Sequence, residues 1–282
     1  MSSKSLKKLN KKVNHDLSQL FHWLRANKIS LNAKKTELVI FRSIHKKMNK
    51  ISNYQKPKVL NFRIGGHKIE PTSSTEYLGV ILDEHLTFKK HINKLKPKLT
   101  RALGMLAKVR HYVCANTLKN IYSAIFDSHL LYGIQVWSKG NKESVSAISM
   151  LQNKAMRIMS FKGPQESADL LYKSTKTLKV QDISKLYNCL FVHDHFNQKL
   201  PSAFDSFVTL AQQSHSFNTR SSKNNDLKVS ATSTFSYGTK SVKSACIHDW
   251  NHMRSTTKTD FLTLSRTKLK HLLKQTLINS YS

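Results

Sequence analysis

Acidic residues are scarce in this sequence, and their scarcity narrows the choice of partner. Lysine and arginine number 47 against 16 aspartates and glutamates in 282 residues, so the formal net charge at pH 7 is +31. Solubility alone does not require so uneven a balance. The excess predicts a polyanionic partner, either a nucleic acid or an anionic membrane surface, and we favour RNA and DNA.

Long apolar runs are missing as well. No stretch approaches the roughly 20 residues that an apolar helix needs to cross a bilayer. The lysine-rich residues 1–17 have no apolar segment behind them, as a signal peptide would. The sequence therefore predicts no membrane partner. The same lysines are compatible with a nuclear localisation signal or with one face of a helix. We expect an intracellular protein, in the nucleus or the cytoplasm.

Cysteine and glycine are too few for several common kinds of site. Cys114, Cys189 and Cys246 form no CxxC pair, which argues against a disulfide framework and a thiolate zinc site. Cys189 and His193 share one helix face, but no further ligand accompanies them, so we predict no metal site. The Gly-Gly pair is not followed by the GK[ST] of a phosphate-binding loop, and no GxSxG sequence marks a hydrolase nucleophile.

The spacing of apolar residues predicts an α+β fold that is mostly helical. Helical periodicity is typical of 4–26, 87–110, 115–127, 129–138, 143–161, 178–198 and 260–278, and strand patterns of 36–43, 59–64, 67–70 and 77–82. Gly65-Gly66 predicts a tight hairpin turn, and Gly79 stands inside the last strand. We expect a small antiparallel sheet, then a helical bundle, then a helical and irregular C-terminal region. The polar stretch 211–244 predicts strand-like islands at most.

The helix predicted over 87–110 has two contrasting faces. Its apolar stripe consists of Phe88, Ile92, Leu95, Leu99, Leu103, Leu106 and Val109. On the opposite face, at about 100° per residue, lie Lys90, Lys94, Arg101 and Lys108. From residue 85 to 120 there are nine lysines and arginines and no acid. Pro97 predicts a kink or a break.

Six segments of the chain follow one another in a recognisable order. They are WLRANKISLNAKKTELVIF (23–41), the Gly65-Gly66 hairpin, YLGVILDEHLTFKKHI (77–92), RALGMLAKVR (101–110), IYSAIFDSHLLYGIQVWS (121–138) and LQNKAMRIM (151–159). Their succession resembles the end of the reverse transcriptase domain of non-LTR retrotransposons, the LINE and jockey-like elements. FNTRSSKNNDL, Trp250-Asn251 and the closing helix resemble the tail of the same polyproteins, so the resemblance covers nearly the whole chain.

The resemblance implies roles for several residues. Lys35, which follows Lys34, matches a lysine near the incoming triphosphate, where a cation offsets charge on the leaving pyrophosphate. The alternative is a solvated charge before a strand. Tyr77, Leu78 and Gly79 match the strand that grips the primer, with core packing as the alternative for Tyr77 and Leu78. The next region matches the helical thumb, whose first helix lies along the template–primer duplex.

The carboxylates that this family needs for catalysis have no counterpart here. Reverse transcription is a two-metal phosphoryl transfer that requires clustered aspartates. The chain has no Asp-Asp pair, and its only adjacent carboxylates are Asp83-Glu84. We expect the fingers and most of the palm to lie upstream of Met1. The Mg²⁺ and dNTPs of the full-length enzyme would then have no site in this chain, which we expect not to polymerise by itself.

These observations define three expected regions and two competing functions. We assign 1–85 to a palm remnant, 86–165 to a thumb-like bundle and 166–282 to a retroelement C-terminal region. The first function is a reverse transcriptase fragment that keeps sequence-independent binding to RNA, DNA or a primer–template duplex. The alternative is a domesticated, non-enzymatic nucleic-acid-binding or scaffold protein. A third hypothesis, an intact enzyme of an unrelated kind, is disfavoured, because the sequence shows no cluster of carboxylates or nucleophiles.

Overall fold

A computed structural model describes residues 6–32, 35–43, 60–213, 221, 226–229, 231–232 and 238–281. The fold is α+β and mostly helical with small two-stranded sheets, as predicted. Contacts divide the chain into two compact units, Met1–Leu86 and Thr87–Ser282. The assignment of 1–85, 86–165 and 166–282 to three regions of a retroelement protein stays a prediction.

The described part of the Met1–Leu86 unit contains one long helix and three pairs of strands. Helix α1 spans Leu6–Ala26, within the predicted range. The strands are β1 (Leu38–Val39), β2 (Phe62–Ile64), β3 (His67–Ile69), β4 (Pro71–Thr72), β5 (Ser74–Tyr77) and β6 (Val80–Asp83). Strand β1 pairs in parallel with β4, while β2–β3 and β5–β6 are antiparallel hairpins. The described strands thus form three small sheets where the pattern predicts one.

The first hairpin carries the core of this unit. Gly65 and Gly66 have φ values of 55° and 84°, the left-handed conformation that a type I′ turn needs at both central positions. The turn sets the register so that Phe62, Ile64 and Ile69 are buried together. Partly buried side chains pack against these three, among them Val13, Leu17 and Phe21 of α1. The prediction of a hairpin at Gly65-Gly66 is confirmed.

The prediction of one continuous strand over 77–82 is wrong. Tyr77 pairs directly with Val80, and Leu78 and Gly79 turn the chain between them with φ values of 47° and 79°. The apolar character of Leu78 favours a strand assignment and conceals the turn. The signal for the hairpin is the pair Leu78-Gly79 between two strand-like runs, since a two-residue connection that contains glycine is typical of a tight turn.

The Thr87–Ser282 unit is built from helices. The α-helices within its described residues are α2 (Lys89–Val109), α3 (Ala115–Tyr122), α4 (Ser128–Leu131), α5 (Ile134–Trp137), α6 (Lys142–Met159), α7 (Asp169–Ser174), α8 (Val180–Phe196), α9 (Val242–Thr257) and α10 (Arg266–Asn279). A π-helical turn, Ser123–Asp127, joins α3 to α4. Gly133, with φ 63°, separates α4 from α5. Among the described helices, none is long and apolar enough to cross a membrane.

Two helices of this unit were not predicted. Short α7 lacks an extended periodic stripe, and α9 begins where the polar stretch 211–244 ends. Helix α9 starts at Ser241, whose side chain accepts a hydrogen bond from the backbone N–H of Ser244. That serine is the cap signal that predicts such a start. The large apolar residues Ile247, Trp250 and Met253 of α9 are buried.

Helix α8 lies at the centre of the unit, packed against α5, α6, α9 and α10. Trp137 and Trp250 are both fully buried, so they serve the core and are not available to stack on bases. A polar network crosses this core where Asn188 Nδ2 donates to Asp249 Oδ2 over 2.7 Å. The ammonium of Lys139 lies 3.5 Å from the same oxygen. The buried carboxylate is therefore paired, as a charge inside a protein must be.

Candidate nucleic-acid interface

The apolar stripe of α2 fixes which way the helix faces. Its buried members are Phe88, Ile92, Leu95, Leu99, Leu103 and Leu106, and Val109 is half-buried. The helix packs against α3 and α6, and each fully buried leucine or isoleucine contributes about 1.5–3 kcal/mol. Rotating α2 would expose this stripe, so the opposite face is held towards solvent.

That opposite face carries the four predicted cations. Lys90, Lys94, Arg101 and Lys108 are all exposed. At about 100° per residue they lie within a sector of about 40° around the helix axis. Eighteen residues at 1.5 Å each separate the first from the last, a length of about 27 Å. We call these four residues the α2 basic face.

Pro97 lies beside the α2 basic face and does not break the helix. Of the kink or break predicted there, the break is wrong, since α2 runs without interruption from Lys89 to Val109, and the kink stays a prediction. Proline lacks the N–H that would bond to the carbonyl of Asn93. Because Pro97 is exposed, water can reach that carbonyl, while the buried stripe continues on both sides of it.

An aromatic and cationic cluster lies at the C-terminal end of α2. The Arg110 guanidinium lies 5.0 Å from the ring centroid of Phe161, and the His111 ring meets the same ring edge-on at 5.3 Å. Phe161 is 55% exposed and Tyr112 is 87% exposed, so both rings are open to stacking on a base. Sequence reasoning missed Phe161, which follows the end of α6 in a left-handed conformation.

The residues predicted to grip a primer form the tip of the β5–β6 hairpin. Tyr77 and Leu78 are 65% and 72% exposed, so the alternative of core packing is wrong for both. Leu78 adopts a positive φ, which is uncommon for an apolar residue with a γ-branched side chain. The hairpin thus presents two apolar side chains at its turn, with Gly79 completing it.

Lys35 belongs to a segment of the Met1–Leu86 unit that contacts the same hairpin through Glu37. Its side chain is exposed, and its backbone N–H donates to the Asn32 carbonyl over 3.1 Å. Two residues later, Glu37 accepts a hydrogen bond from the Thr75 hydroxyl of β5. This bond joins the Lys35 segment to the hairpin strand. Lys34 lies outside the described residues.

The adjacent carboxylates Asp83 and Glu84 have structural partners. Glu84 forms an ion pair of 2.9 Å with Arg42, and Asp83 accepts from the backbone N–H of His85 over 3.2 Å. Across the described ranges, no group of three or more His, Cys, Asp or Glu side chains is placed to hold a metal ion.

The histidines of α8 also have structural roles. Buried His193 contacts the Leu264 carbonyl through Nε2 at 2.9 Å, and His195 contacts the Val208 carbonyl at 3.2 Å. His193 thus connects α8 to the residues just before α10, and His195 connects it to the segment that follows α8. These contacts account for both histidines without a metal.

Asp127 is a buried carboxyl that the sequence did not single out. Burial raises its pKa to about 6, although a hydrogen bond from Tyr122 and the charges of Lys274 and Lys119 oppose the shift. Its Oδ1 atom has no hydrogen-bond partner. Asp127 is the last residue of the π-helical turn. It does not belong to the α2 basic face, so it is not part of the candidate interface.

Comparison with known proteins finds relatives for about a third of the chain. The RNA-directed DNA polymerase from the mobile element jockey of Drosophila funebris is 35% identical over 101 residues, which is 34% of this chain and 11% of that protein. The probable RNA-directed DNA polymerase from transposon X-element of Drosophila melanogaster is 30% identical over 92 residues, 31% of this chain and 10% of that protein. The Drosophila melanogaster jockey polymerase is 32% identical over 101 residues.

The resemblance to non-LTR retrotransposon reverse transcriptases is confirmed over about a third of the chain. The matched segment spans about a tenth of the length of these relatives. No protein-family model matches the chain. No solved structure matches it either.

Proposed function

We propose that this chain binds RNA and DNA duplexes through their phosphates, as part of a retroelement reverse transcriptase. The observation that carries the proposal is the α2 basic face, four exposed cations in one line on a helix with no acidic residue. The similarity to polymerases from jockey and X-element makes template and primer strands the polyanions of first choice.

The length of the α2 basic face suits a duplex. Phosphates follow one another every 3.4 Å or so along each strand, so about 27 Å of helix runs past roughly eight steps. Lysine and arginine side chains reach phosphate oxygens without reading the bases, which makes such binding sequence-independent. In this proposal α2 to α6 act as the thumb.

The β5–β6 hairpin supplies the second part of the proposal. The exposed tip side chains Tyr77 and Leu78 would contact the sugar or base at the primer's end, and Gly79 lets the backbone approach closely. Lys34 and Lys35 would lie towards the triphosphate side. What supports this part is the order of the segments in the sequence, together with the hydrogen bond that joins the Lys35 segment to the hairpin.

Charge reversal on the α2 basic face tests duplex binding. We expect a variant with Lys90, Lys94, Arg101 and Lys108 changed to glutamate to bind RNA and DNA duplexes alike more weakly. The slope of log affinity against log salt should flatten by about 3 to 4, because each lost phosphate contact removes about 0.9. Fluorescence anisotropy with a labelled duplex at several salt concentrations measures both quantities.

A matched control separates this face from net charge. Lys154, Lys173, Lys268 and Lys270 are exposed residues of α6, α7 and α10, and changing all four to glutamate alters the net charge equally. This control should keep most of the salt slope. An unchanged slope in the α2 variant, or equal losses in the two variants, would remove the α2 basic face from the proposal.

Polymerisation is the second testable part. We propose that the chain alone does not extend a primer, because its adjacent carboxylates Asp83 and Glu84 serve structural contacts. Primer extension on an RNA template with Mg²⁺ and dNTPs should give no product above a protein-free reaction. Product formation by the purified chain would overturn this part and leave the duplex-binding part standing.

A further inference from the structure

The aromatic and cationic cluster at the C-terminal end of α2 has no part in the duplex-binding proposal. We call its members Arg110, His111, Tyr112 and Phe161 the α2 end cluster, and all four belong to the Thr87–Ser282 unit. Tyr112 is 87% exposed and Phe161 is 55% exposed, although aromatic rings gain much from burial. Exposed rings grouped with cations are typical of binding surfaces.

Phe161 occupies a backbone position that glycine usually fills. Its φ is 55°, and it directly follows Ser160, the C-cap residue of α6. The backbone N–H of Lys162 donates to the Arg157 carbonyl over 2.9 Å, and that of Phe161 donates to the Ile158 carbonyl over 3.4 Å. These two bonds form the Schellman pattern of a helix end, which favours glycine at the left-handed position. The helix end therefore explains the conformation of Phe161 but not the presence of an aromatic ring.

Contacts with the end of α2 hold the Phe161 ring in place. The Arg110 guanidinium lies over the ring, 5.0 Å from its centroid, and Arg110 Nε donates to His111 Nε2 over 3.1 Å. The planes of the His111 and Phe161 rings are inclined at 70°. More than half of Phe161 stays exposed with both neighbours in place. Because the ring is already held, a flat partner that stacks on its open surface costs little conformational entropy.

The charges around the rings favour a nucleic acid as that partner. Lys108 of the α2 basic face precedes Arg110 by two residues, and no acidic residue occurs from residue 85 to 120. Glu166, the acid nearest to Phe161 in sequence, forms an ion pair of 3.3 Å with Lys162. Aromatic rings beside cations suit a nucleic-acid strand, because the rings stack on bases and the cations attract phosphates.

The rings can stack only on a base whose face is open. Inside a duplex each base is covered by its neighbours, whereas the bases of a single strand can be splayed out and stacked on aromatic side chains. The dipole of α2 points the same way. Lys89 and Lys90 lie at its positive end, while the α2 end cluster lies at its negative end, where attraction for phosphate is weaker.

We propose that the α2 end cluster binds unpaired bases of a single RNA or DNA strand, which stack on Tyr112 and Phe161. The α2 basic face holds the phosphates of the adjoining duplex, so α2 binds a junction between a duplex and a single strand. The junction rests on the proposed duplex binding, whereas the stacking rests on the α2 end cluster itself.

Removal of each ring tests the stacking. Tyr112→Ala and Phe161→Gly should each weaken binding of a single-stranded oligonucleotide about fivefold or more, because a stacked base is lost. Glycine also relieves the left-handed strain at residue 161. Thermal denaturation of Phe161→Gly should therefore show a fold close to the parent's in stability or above it, which assigns the lost affinity to the ring.

Conservative and distant substitutions serve as controls. Tyr112→Phe keeps the ring and should retain the affinity for the single strand within about twofold. Tyr132→Ala removes another exposed tyrosine, which is 55% exposed and outside the α2 end cluster, and should also stay within about twofold. An equal loss in Tyr132→Ala and Tyr112→Ala would overturn the assignment of stacking to the cluster.

Strands with and without bases separate stacking from charge. An oligonucleotide of abasic residues carries the same phosphates as the intact strand, so it should bind more weakly and should be insensitive to Tyr112→Ala and Phe161→Gly. Fluorescence anisotropy measures both strands. Equal binding of the abasic and intact strands, or unchanged affinity in both ring variants, would overturn the proposal. A self-association that the ring variants abolish without any loss of strand affinity would assign the rings to a second copy of this chain instead.

Duplexes with and without an overhang keep the two proposals distinguishable. A duplex with a single-stranded overhang should bind more tightly than the blunt duplex, and the ring variants should remove this gain while keeping blunt-duplex affinity within about twofold. No gain from the overhang would overturn the junction. Unchanged duplex binding in the quadruple glutamate variant of the α2 basic face, with single-strand binding still sensitive to the rings, would overturn duplex binding and leave stacking in place.

Discussion

Asp127 shows at the scale of one residue how burial controls a charge. Its carboxyl has a pKa of about 6 against a usual value of 3.8, with burial as the chief cause. Below about pH 4 the folded and unfolded chains both hold the proton. Between about pH 4 and 6 only the unfolded chain has lost it, so stability falls as pH rises. Above about pH 6 the loss is complete, at about 3 kcal/mol.

Replacing this carboxyl by a neutral amide removes the penalty. We expect Asp127→Asn to stabilise the protein by about 2–3 kcal/mol at pH 7.5 and to have little effect at pH 4, because the amide cannot ionise. Urea denaturation followed by Trp137 and Trp250 fluorescence, in a Trp23→Phe background, measures the difference. Asp205→Asn, at an exposed position, serves as the control and should change stability by less than about 0.5 kcal/mol.

The sequence predicted the exposure and conformation of some residues and not of others. The exposure of Lys90 and Lys108 and the burial of Trp137 follow from helical periodicity, because packing of one stripe dictates both faces. Leu78 was predicted in a strand because its side chain is apolar, although the glycine that follows it is a hairpin-turn signal. Phe161 gave no signal, because its contacts with Arg110 join the ends of two helices that are far apart in sequence.

Helices were predicted correctly where an apolar stripe recurred over several turns. Helices α1, α2, α6 and α8 were all predicted, with small differences at their ends. The short α7 was missed because a helix of six residues is too short to show a periodic stripe. Helix α9 was missed although Ile247, Trp250 and Met253 recur at helical spacing behind the Ser241 cap, because the polar stretch before it favours an irregular region. Packing also explains why Pro97, where a kink or a break was expected, does not break α2. Helix α2 buries leucines before and after that residue, and this packing outweighs one missing hydrogen bond.

A substitution at Pro97 tests whether packing of α2 outweighs the backbone hydrogen bond that proline removes. Pro97→Ala restores the backbone N–H that can bond to the Asn93 carbonyl and removes the steric conflict of the ring. We expect the variant to be more stable by about 1–3 kcal/mol. Its duplex affinity should stay within about twofold, since the cations of the α2 basic face are unchanged.

Thermal denaturation and duplex titration of the Pro97→Ala variant give the two readouts. Lower stability would mean that the proline ring makes contacts worth more than the hydrogen bond. A large loss of duplex affinity would mean that the shape of the helix at Pro97, and not only its charge, contributes to binding.

The two units of the whole molecule differ in how much apolar surface they bury. The core of the Met1–Leu86 unit centres on Phe62, Ile64 and Ile69, and large side chains such as Trp23, Phe41 and Leu78 are about half exposed or more. Most of the fully buried large side chains belong to the Thr87–Ser282 unit. Because stability grows with buried apolar area, the first unit should be marginally stable.

Hydrogen exchange measures this difference. We expect amides of the β2–β3 hairpin to exchange much faster than amides of α2 and α8, because the former open without disturbing the larger core. Mass spectrometry of peptides after deuterium labelling resolves the two units. Equal and strong protection in both would contradict the expectation and point to a more stable Met1–Leu86 unit than its burial implies.

Helix α2 starts in an electrostatically unfavourable way. Lys89 and Lys90 occupy its first turn, no acidic residue is present there, and the cap position Phe88 makes no side-chain capping bond. Two cations at the positive end of a helix dipole cost about 0.3–1 kcal/mol each. A phosphate placed at this end would reverse the sign of both contributions. The helix start and its ligand would then stabilise each other, so duplex binding would also strengthen the fold of α2.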